Sequence, residues 1–326
     1  MTEQPSEQST ERPDELVRTQ TFPTDGPVEL DVDITIGRVD IRLDTPHGTA
    51  GENGAAGAGT GEAGTGEASV EVRHDPTAQQ PWAEGVAQLL GWVGERFGPQ
   101  LGTDLRGSPA EAVRQVRIEK LGNRLVVRGP KALALRNVPL AITVHAPAGS
   151  RLDLRTGAGD VAVAGTAGRA DVATVSGEVS LDRVDGSTTV RTGSGAIRLG
   201  TALAGLQVRT GSGDVEASSV ADSATLATGT GDVWLGVTAG RVLVRSGRGD
   251  LSVAEAASGE LELITGSGDV RVGIRSGVAA EVRLSSASGR VASELDVADS
   301  PPDGEVALRV RARTGSGTAL VTKAAR

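Results

Sequence analysis

The chain has 326 residues, a formal net charge of −9 and a pI near 5.0, a balance that argues against nucleic acid or anionic lipid as the main partner. It contains no cysteine, which excludes disulfides, thiolate metal sites and a cysteine nucleophile. With three Trp, two Phe and no Tyr, its core must be built from Val, Leu, Ile and Ala, and its 46 Gly imply a chain that turns often.

Residues 1–26 are polar and rich in Glu, Ser, Thr, Gln and Pro, and are expected to form a disordered tail with no apolar leader segment. No stretch approaches the roughly 20 apolar residues that cross a bilayer, so the sequence predicts a cytoplasmic protein with no integral membrane segment. A β-solenoid domain is expected over 27–326. It opens with strict alternation at Val28, Leu30, Val32, Ile34 and Ile36, and again at Val39, Ile41 and Leu43, with Gly37 placed to bend or end the strand. Residues 45–67 form a Gly-rich insert that cannot bury enough apolar area to order itself and read as a flexible loop. Alternation resumes at Ser69 to Arg73.

Residues 81–97 read as one short amphipathic helix. Trp82, Val86, Leu89, Leu90, Val93 and Phe97 share a face at a 3.6-residue period, and Pro81 suits the first turn. Its expected role is to cap an open solenoid end; docking a partner is the second reading. Strands return at Gln115–Glu119, Arg124–Arg128 and Leu140–His145.

From Arg155 onward, RTGAGDVAV and its variants recur. The second glycine of the motif falls at Gly159, Gly177, Gly195, Gly213, Gly231 and Gly249, each 18 residues after the last, and then at wider intervals at Gly268, Gly289 and Gly317. Written in rows of 18, the chain gives an aliphatic column Val161, Val179, Ile197, Val215, Val233 and Leu251. A second column is Leu154, Val172, Val190, Val208, Leu226 and Val244, and a third runs Val163, Leu181, Leu199, Ala217, Leu235 and Val253. An antiparallel sandwich has no reason to hold this phase; a stack of parallel rungs does. The prediction is an all-β fold, a single-stranded parallel β-solenoid of about 18 residues per coil. Threonines at 156, 174, 192, 210 and 228 precede the turn and can stack or bond to its backbone.

Two charged columns mark the candidate interaction surface. Asp160, Glu178, Asp214, Asp232 and Asp250 follow the turn glycine, while Arg155, Arg191, Arg209 and Arg245 stand five residues earlier. Stacked like charges repel, so the two columns are expected to pair across the corner. The rings Trp82, Trp92 and Phe97 of the expected helix join this surface. A calcium roll is disfavoured because one carboxylate per coil falls short of the six to eight oxygens calcium takes. Arg248-Gly249-Asp250 spells an adhesion tripeptide, but Gly249 and Asp250 already belong to repeat columns. The Gly-x-Gly pairs lack the following helix of a dinucleotide site. His47, His74 and His145 have no metal spacing. A polysaccharide-cleaving β-helix enzyme could use the Asp column, yet Trp234 is the only ring in the repeats. No catalytic, metal or cofactor-binding residues are assigned and no cofactor is called for.

The run LAITVHAPAGSRLDLRTGAGDVAVAG followed by TGSGDV-type strands resembles the bacterial putative-adhesin family, a domain of unknown function built from β-strand repeats. The resemblance covers about residues 27–43 and 113–321. It implies a β-solenoid related in style to bactofilin-type filaments, no catalytic residues, and association with the cell envelope through a partner. The expected function is therefore non-enzymatic: a scaffold presenting repeated faces to a protein or cell-envelope component, with self-association end to end as a further expectation.

Overall fold

The computed structural model describes residues 17–44, 66–76, 108–295 and 306–324. In chain order the strands are β1 (Val17–Thr24), β2 (Glu29–Asp44), β3 (Gly66–His74), β4 (Arg117–Leu121), β5 (Arg124–Arg128) and β6 (Leu140–Pro147). The repeats follow as β7 (Arg151–Ala158), β8 (Val161–Ala167), β9 (Arg169–Ser176), β10 (Val179–Val184), β11 (Thr188–Ser194) and β12 (Ile197–Ala202). They continue as β13 (Leu206–Ser212), β14 (Val215–Val220), β15 (Ala224–Thr230), β16 (Val233–Thr238), β17 (Arg241–Arg248) and β18 (Leu251–Ala256). The last are β19 (Gly259–Ser267), β20 (Val270–Ile274), β21 (Ala280–Ser288), β22 (Val291–Ser293), β23 (Leu308–Ser316) and β24 (Ala319–Lys323). Among the described residues two helices occur, α1 (Pro109–Gln115) and α2 (Leu133–Arg136).

Each rung contributes one strand to each of two facing sheets. Sheet I takes the strand before the Gly-x-Gly turn, so that β7, β9, β11, β13, β15, β17 and β19 pair in parallel. Sheet II takes the strand after it, and β8 through β20 pair likewise. The registers align the predicted columns: Val161 lies opposite Val179, Val179 opposite Ile197, Ile197 opposite Val215, and Val208 opposite Leu226. Every side chain of the first two columns is buried to 2% exposure or less. Aliphatic residues thus repeat about every 4.8 Å up the interior, which β-branched chains fill without rings.

The turn explains the glycine. Gly213 has φ +142°, and a Cβ there would run into the carbonyl oxygen of Gly195 on the rung below. Its amide instead donates to the carbonyl of Thr230 on the next rung at 2.9 Å. The preceding threonines are buried, and their hydroxyls donate to turn carbonyls: Thr192 to Ser194 at 2.9 Å and Thr228 to Thr230 at 3.1 Å. This is the backbone-bonding option of the two that the threonine column allowed.

Both ends depart from sequence order. Strand β2 spans the two sheets, bending at Gly37 (φ +133°); its first half lies between β5 and β7, its second between β6 and β8. At the other end, β23 and β24 are inserted between β19/β20 and β21/β22. The turn glycines therefore stack as Gly268, Gly317, Gly289, out of sequence order, which accounts for the wide intervals to Gly289 and Gly317. The first end is closed by antiparallel strands, β4 on β5, and β3 then β1 on β6.

Helix α1 covers this end. Ser108 accepts from the Glu111 amide at its N-cap, Pro109 opens the first turn, and Ala110, Ala112 and Val113 are buried. The Arg18 guanidinium donates to the carbonyls of Arg114 (3.1 Å) and Val116 (2.6 Å), placing a cation where the helix carbonyls end.

Two boundary expectations are corrected. Residues Val17–Thr24, assigned to the tail, instead form β1, because alternate side chains pack against β3 and Phe22 sits on the core. Strand β3 begins at Gly66, so the end of the 45–67 insert is strand. Residues 45–65 and the expected helix over 81–97, with Trp82, Trp92 and Phe97, lie outside the described residues.

Candidate binding face

The strand pattern sends Arg155, Arg191, Arg209 and Arg245 to the outer face of sheet I, where all four are exposed. Register places them in one line. Arg191 lies directly opposite Arg209 on the neighbouring rung, while Ala173 occupies the rung between Arg155 and Arg191, and Ala227 that between Arg209 and Arg245. Beyond Ile264, Arg313 continues the line. Over the first rungs this face forms a shallow groove of about 610 Å³, with Arg155, Arg191, Arg209, Ala173, Gly193 and Gly211 among its lining.

These arginines do not pair with the acidic column, contrary to expectation. The arginines stand on the strand before the Gly-x-Gly corner and the acids at the corner itself, and the aspartates of the column are otherwise engaged. The Oδ1 of Asp160 accepts the amide of Glu178 (2.9 Å), that of Asp214 the amide of Asp232 (2.9 Å), and that of Asp232 the amide of Asp250 (2.7 Å). Asp250 and Asp269 extend the series to the amides of Asp269 and Thr318. The column is a rung-to-rung ladder in which backbone N–H dipoles offset the repulsion between carboxylates; the guanidinium groups that also reach it are Arg38 at Asp160 (3.9 Å), Arg198 at Glu178 and Arg271 at Asp269 (3.5 Å), none of them from the sheet I column.

Neighbouring arginines show what pairing looks like in this molecule. Arg183 reaches Asp185 at 2.8 Å, Arg151 reaches Glu29 at 3.2 Å, and Arg283 reaches Glu281 at 2.8 Å. On sheet II, Arg198 bonds Glu178, and that hydrogen bond, helped by the carboxylate's charge, holds the guanidinium above its ordinary value. Arg155 has Asp153 at 3.2 Å. Among the described residues, Arg191, Arg209, Arg245 and Arg313 have no carboxylate partner, and the flanking sequence says why. Two residues before the column stand Thr189, Gln207, Thr225 and Leu243; two after stand Gly193, Gly211, Gly229 and Gly247. No acid is offered within reach along the strand.

The remaining candidates resolve differently. Asp250 of the Arg-Gly-Asp run is a ladder member, and Arg248 stands in register with Thr230 and Ser267. Trp234 is 42% exposed on sheet II, between Glu216 and Ser252 and beside Gly236. A second shallow groove, of about 460 Å³, runs along that face past Asp182, Arg198 and Glu216. Among the described residues no group of three His, Asp or Glu side chains is placed to hold a metal ion, and no helix is long and apolar enough to cross a membrane. The sequence carries a usable signal for the unpaired Arg191, Arg209 and Arg245: the neutral residues two positions either side of each.

Comparison with known proteins gives a family. A "putative adhesin" from Bacteroides fragilis is 12% identical, with 94% of this chain and 96% of that one covered and a TM-score of 0.41. A "putative adhesin" from Parabacteroides distasonis is 10% identical over 93% and 96%, with a TM-score of 0.37. One from Parabacteroides merdae is 9% identical over 93% and 95%, with a TM-score of 0.28. No curated protein matches the chain. The Toastrack DUF4097 description matches residues 142–309, just over half of the sequence and most of the stacked rungs. The chain belongs to the Toastrack DUF4097 family.

Proposed function

We propose that this protein is a non-enzymatic binding scaffold that presents the outer face of sheet I to an acidic protein or cell-envelope component. The observation that carries the reading is the stacking of Arg191 on Arg209, both exposed and both without a carboxylate partner among the described residues. Two like charges about 4.8 Å apart repel, and a fold that keeps them in register places free guanidinium donors in solvent. An anion bridging them relieves that repulsion and takes a bidentate bond from each fork. The ladder role of Asp160, Asp214, Asp232 and Asp250 supports a structural use of the acidic column in place of catalysis.

Retention on a sulfonate-bearing matrix at pH 7 and low salt tests this reading. A chain of net charge −9 is retained only if a local basic face engages the matrix. The account predicts retention of the parent protein and flow-through of Arg191→Glu/Arg209→Glu. Flow-through of the parent, or equal retention of both, would overturn it.

A further inference from the structure

The arginine column has a geometry that a patch of scattered basic residues lacks, and it narrows the class of ligand. Counting rungs from Arg155, arginine stands at the origin and at the second, third, fifth and seventh positions, through Arg191, Arg209, Arg245 and Arg313. With about 4.8 Å per rung, the intervals are about 10, 5, 10 and 10 Å, and the line is about 34 Å long. Charge is therefore distributed in one dimension, along the solenoid axis.

The ground beside the line is equally regular. Gly193, Gly211, Gly229 and Gly247 run parallel to it on consecutive rungs, so no side chain stands on that flank over the middle of the column. The result is a flat trough with guanidinium groups along one wall. Among the described residues, Val175 is the one exposed large apolar side chain on this face, at the first end of the trough. A folded protein partner draws most of its binding energy from buried anchors such as aromatic rings, and a glycine floor offers such anchors no pocket. An extended chain needs only a path and charges in step.

Resting on the binding face argued above, we infer that the sheet I trough binds a linear anionic polymer lying along the solenoid axis, with carboxylate or phosphate groups repeating about every 5 or 10 Å. Each anionic group takes the guanidinium fork of one arginine, or sits between Arg191 and Arg209. Binding several groups on one rigid array makes each later contact intramolecular, so the polymer binds far more tightly than its monomer. The gaps at Ala173, Ala227 and Ile264 are positions where the array is short of a charge.

Calorimetric titration of the full chain tests this with polygalacturonate and inorganic polyphosphate, each against its monomer (galacturonate, orthophosphate), dextran and a folded acidic protein of similar net charge. Expected are a polymer affinity at least 100-fold above the monomer's, no binding of dextran, and a folded acidic protein at least tenfold weaker than the better polymer. Whichever polymer binds more tightly distinguishes carboxylate from phosphate as the source of charge. Arg191→Gln/Arg209→Gln should weaken polymer binding tenfold or more. The gap-filling pair Ala173→Arg/Ala227→Arg should tighten it at least fivefold, a gain that loss of folding cannot mimic. Equal affinity for the folded acidic protein, with the same dependence on Arg191 and Arg209, would overturn the polymer and leave the face. Indifference of every anionic probe to both sets of substitutions would overturn the polymer and the face together.

Discussion

The Oδ1 of Asp232 accepts the backbone N–H of Asp250 at 2.7 Å, one rung above it in the stack. The same bond links Asp214 to Asp232 and Asp250 to Asp269, so a single side-chain type ties successive turns together. Replacing Asp232 with Ala strands the Asp250 amide at a partly solvated corner and should cost about 1 kcal/mol in urea denaturation. Asp232→Asn keeps a carbonyl acceptor at the same position and should cost less than about 0.5 kcal/mol. Equal losses in both would mean that charge, and not the ladder bond, is what the position supplies.

The turn glycines are held by contact as well as by conformation. Gly213→Ala combines a φ of +142° with a Cβ driven into the Gly195 carbonyl, and should cost about 3 kcal/mol or more, or prevent folding. Gly205 is the contrast: a Cβ there meets nothing nearer than the Ser223 hydroxyl at 3.7 Å, so Gly205→Ala should be neutral or stabilise by up to about 1 kcal/mol. Chemical denaturation of the pair checks the difference.

Asp31 is the buried charge of the closed end, at 2% exposure, bonded to Arg124 and to Arg128 at 2.7 Å. Its Oδ1 has no partner among the described residues. Removing a cation from such a group leaves it poorly compensated, so Arg128→Met should destabilise by about 2 kcal/mol. Adding Asp31→Asn should return at least half of that loss, a coupling of about 1 kcal/mol or more in a double-mutant cycle. Strict additivity would show that the pair does not act together.

Inside the stack, Leu226 is fully buried between Val208 and Val244. Leu226→Ala removes a rung's worth of contact on both sides and should cost about 3 kcal/mol. The same truncation at exposed Leu133 (80%) should change stability by less than about 0.5 kcal/mol. Thermal melts of the two variants suffice.

Much of this was legible in the sequence, for a physical reason. A parallel stack repeats one environment at each rung, so Val161, Val179, Ile197 and Val215 had to be alike, and their phase alone revealed the coil. Periodicity says nothing about rung order, however. That β23 slips between β19 and β21, or β2 between β5 and β7, depends on long-range pairing that leaves no local mark. Helix α1 did leave one: Ser108, Pro109 and Glu111 form a cap signature ahead of a segment too short to show a 3.6 period. The charged columns are legible in the sequence, but their partners are not. The partner of Asp214 is a backbone amide, which a pattern of opposite charges does not reveal. The neutral flanks of Arg191 and Arg209 are the mark that the unpaired column leaves in the sequence.

Everything proposed for the face depends on residues five rungs apart standing in one line. Ala173 and Ile264 occupy the arginine column one rung in from its ends without being arginines, and the absence of native cysteine allows clean labelling of Ala173→Cys/Ile264→Cys. Pulsed electron spin resonance between nitroxides at these sites should give one narrow distance near 24 Å, five rungs of about 4.8 Å. A broad distribution, or a single distance far from that value, would contradict the in-register stack and remove the linear array of charge with it.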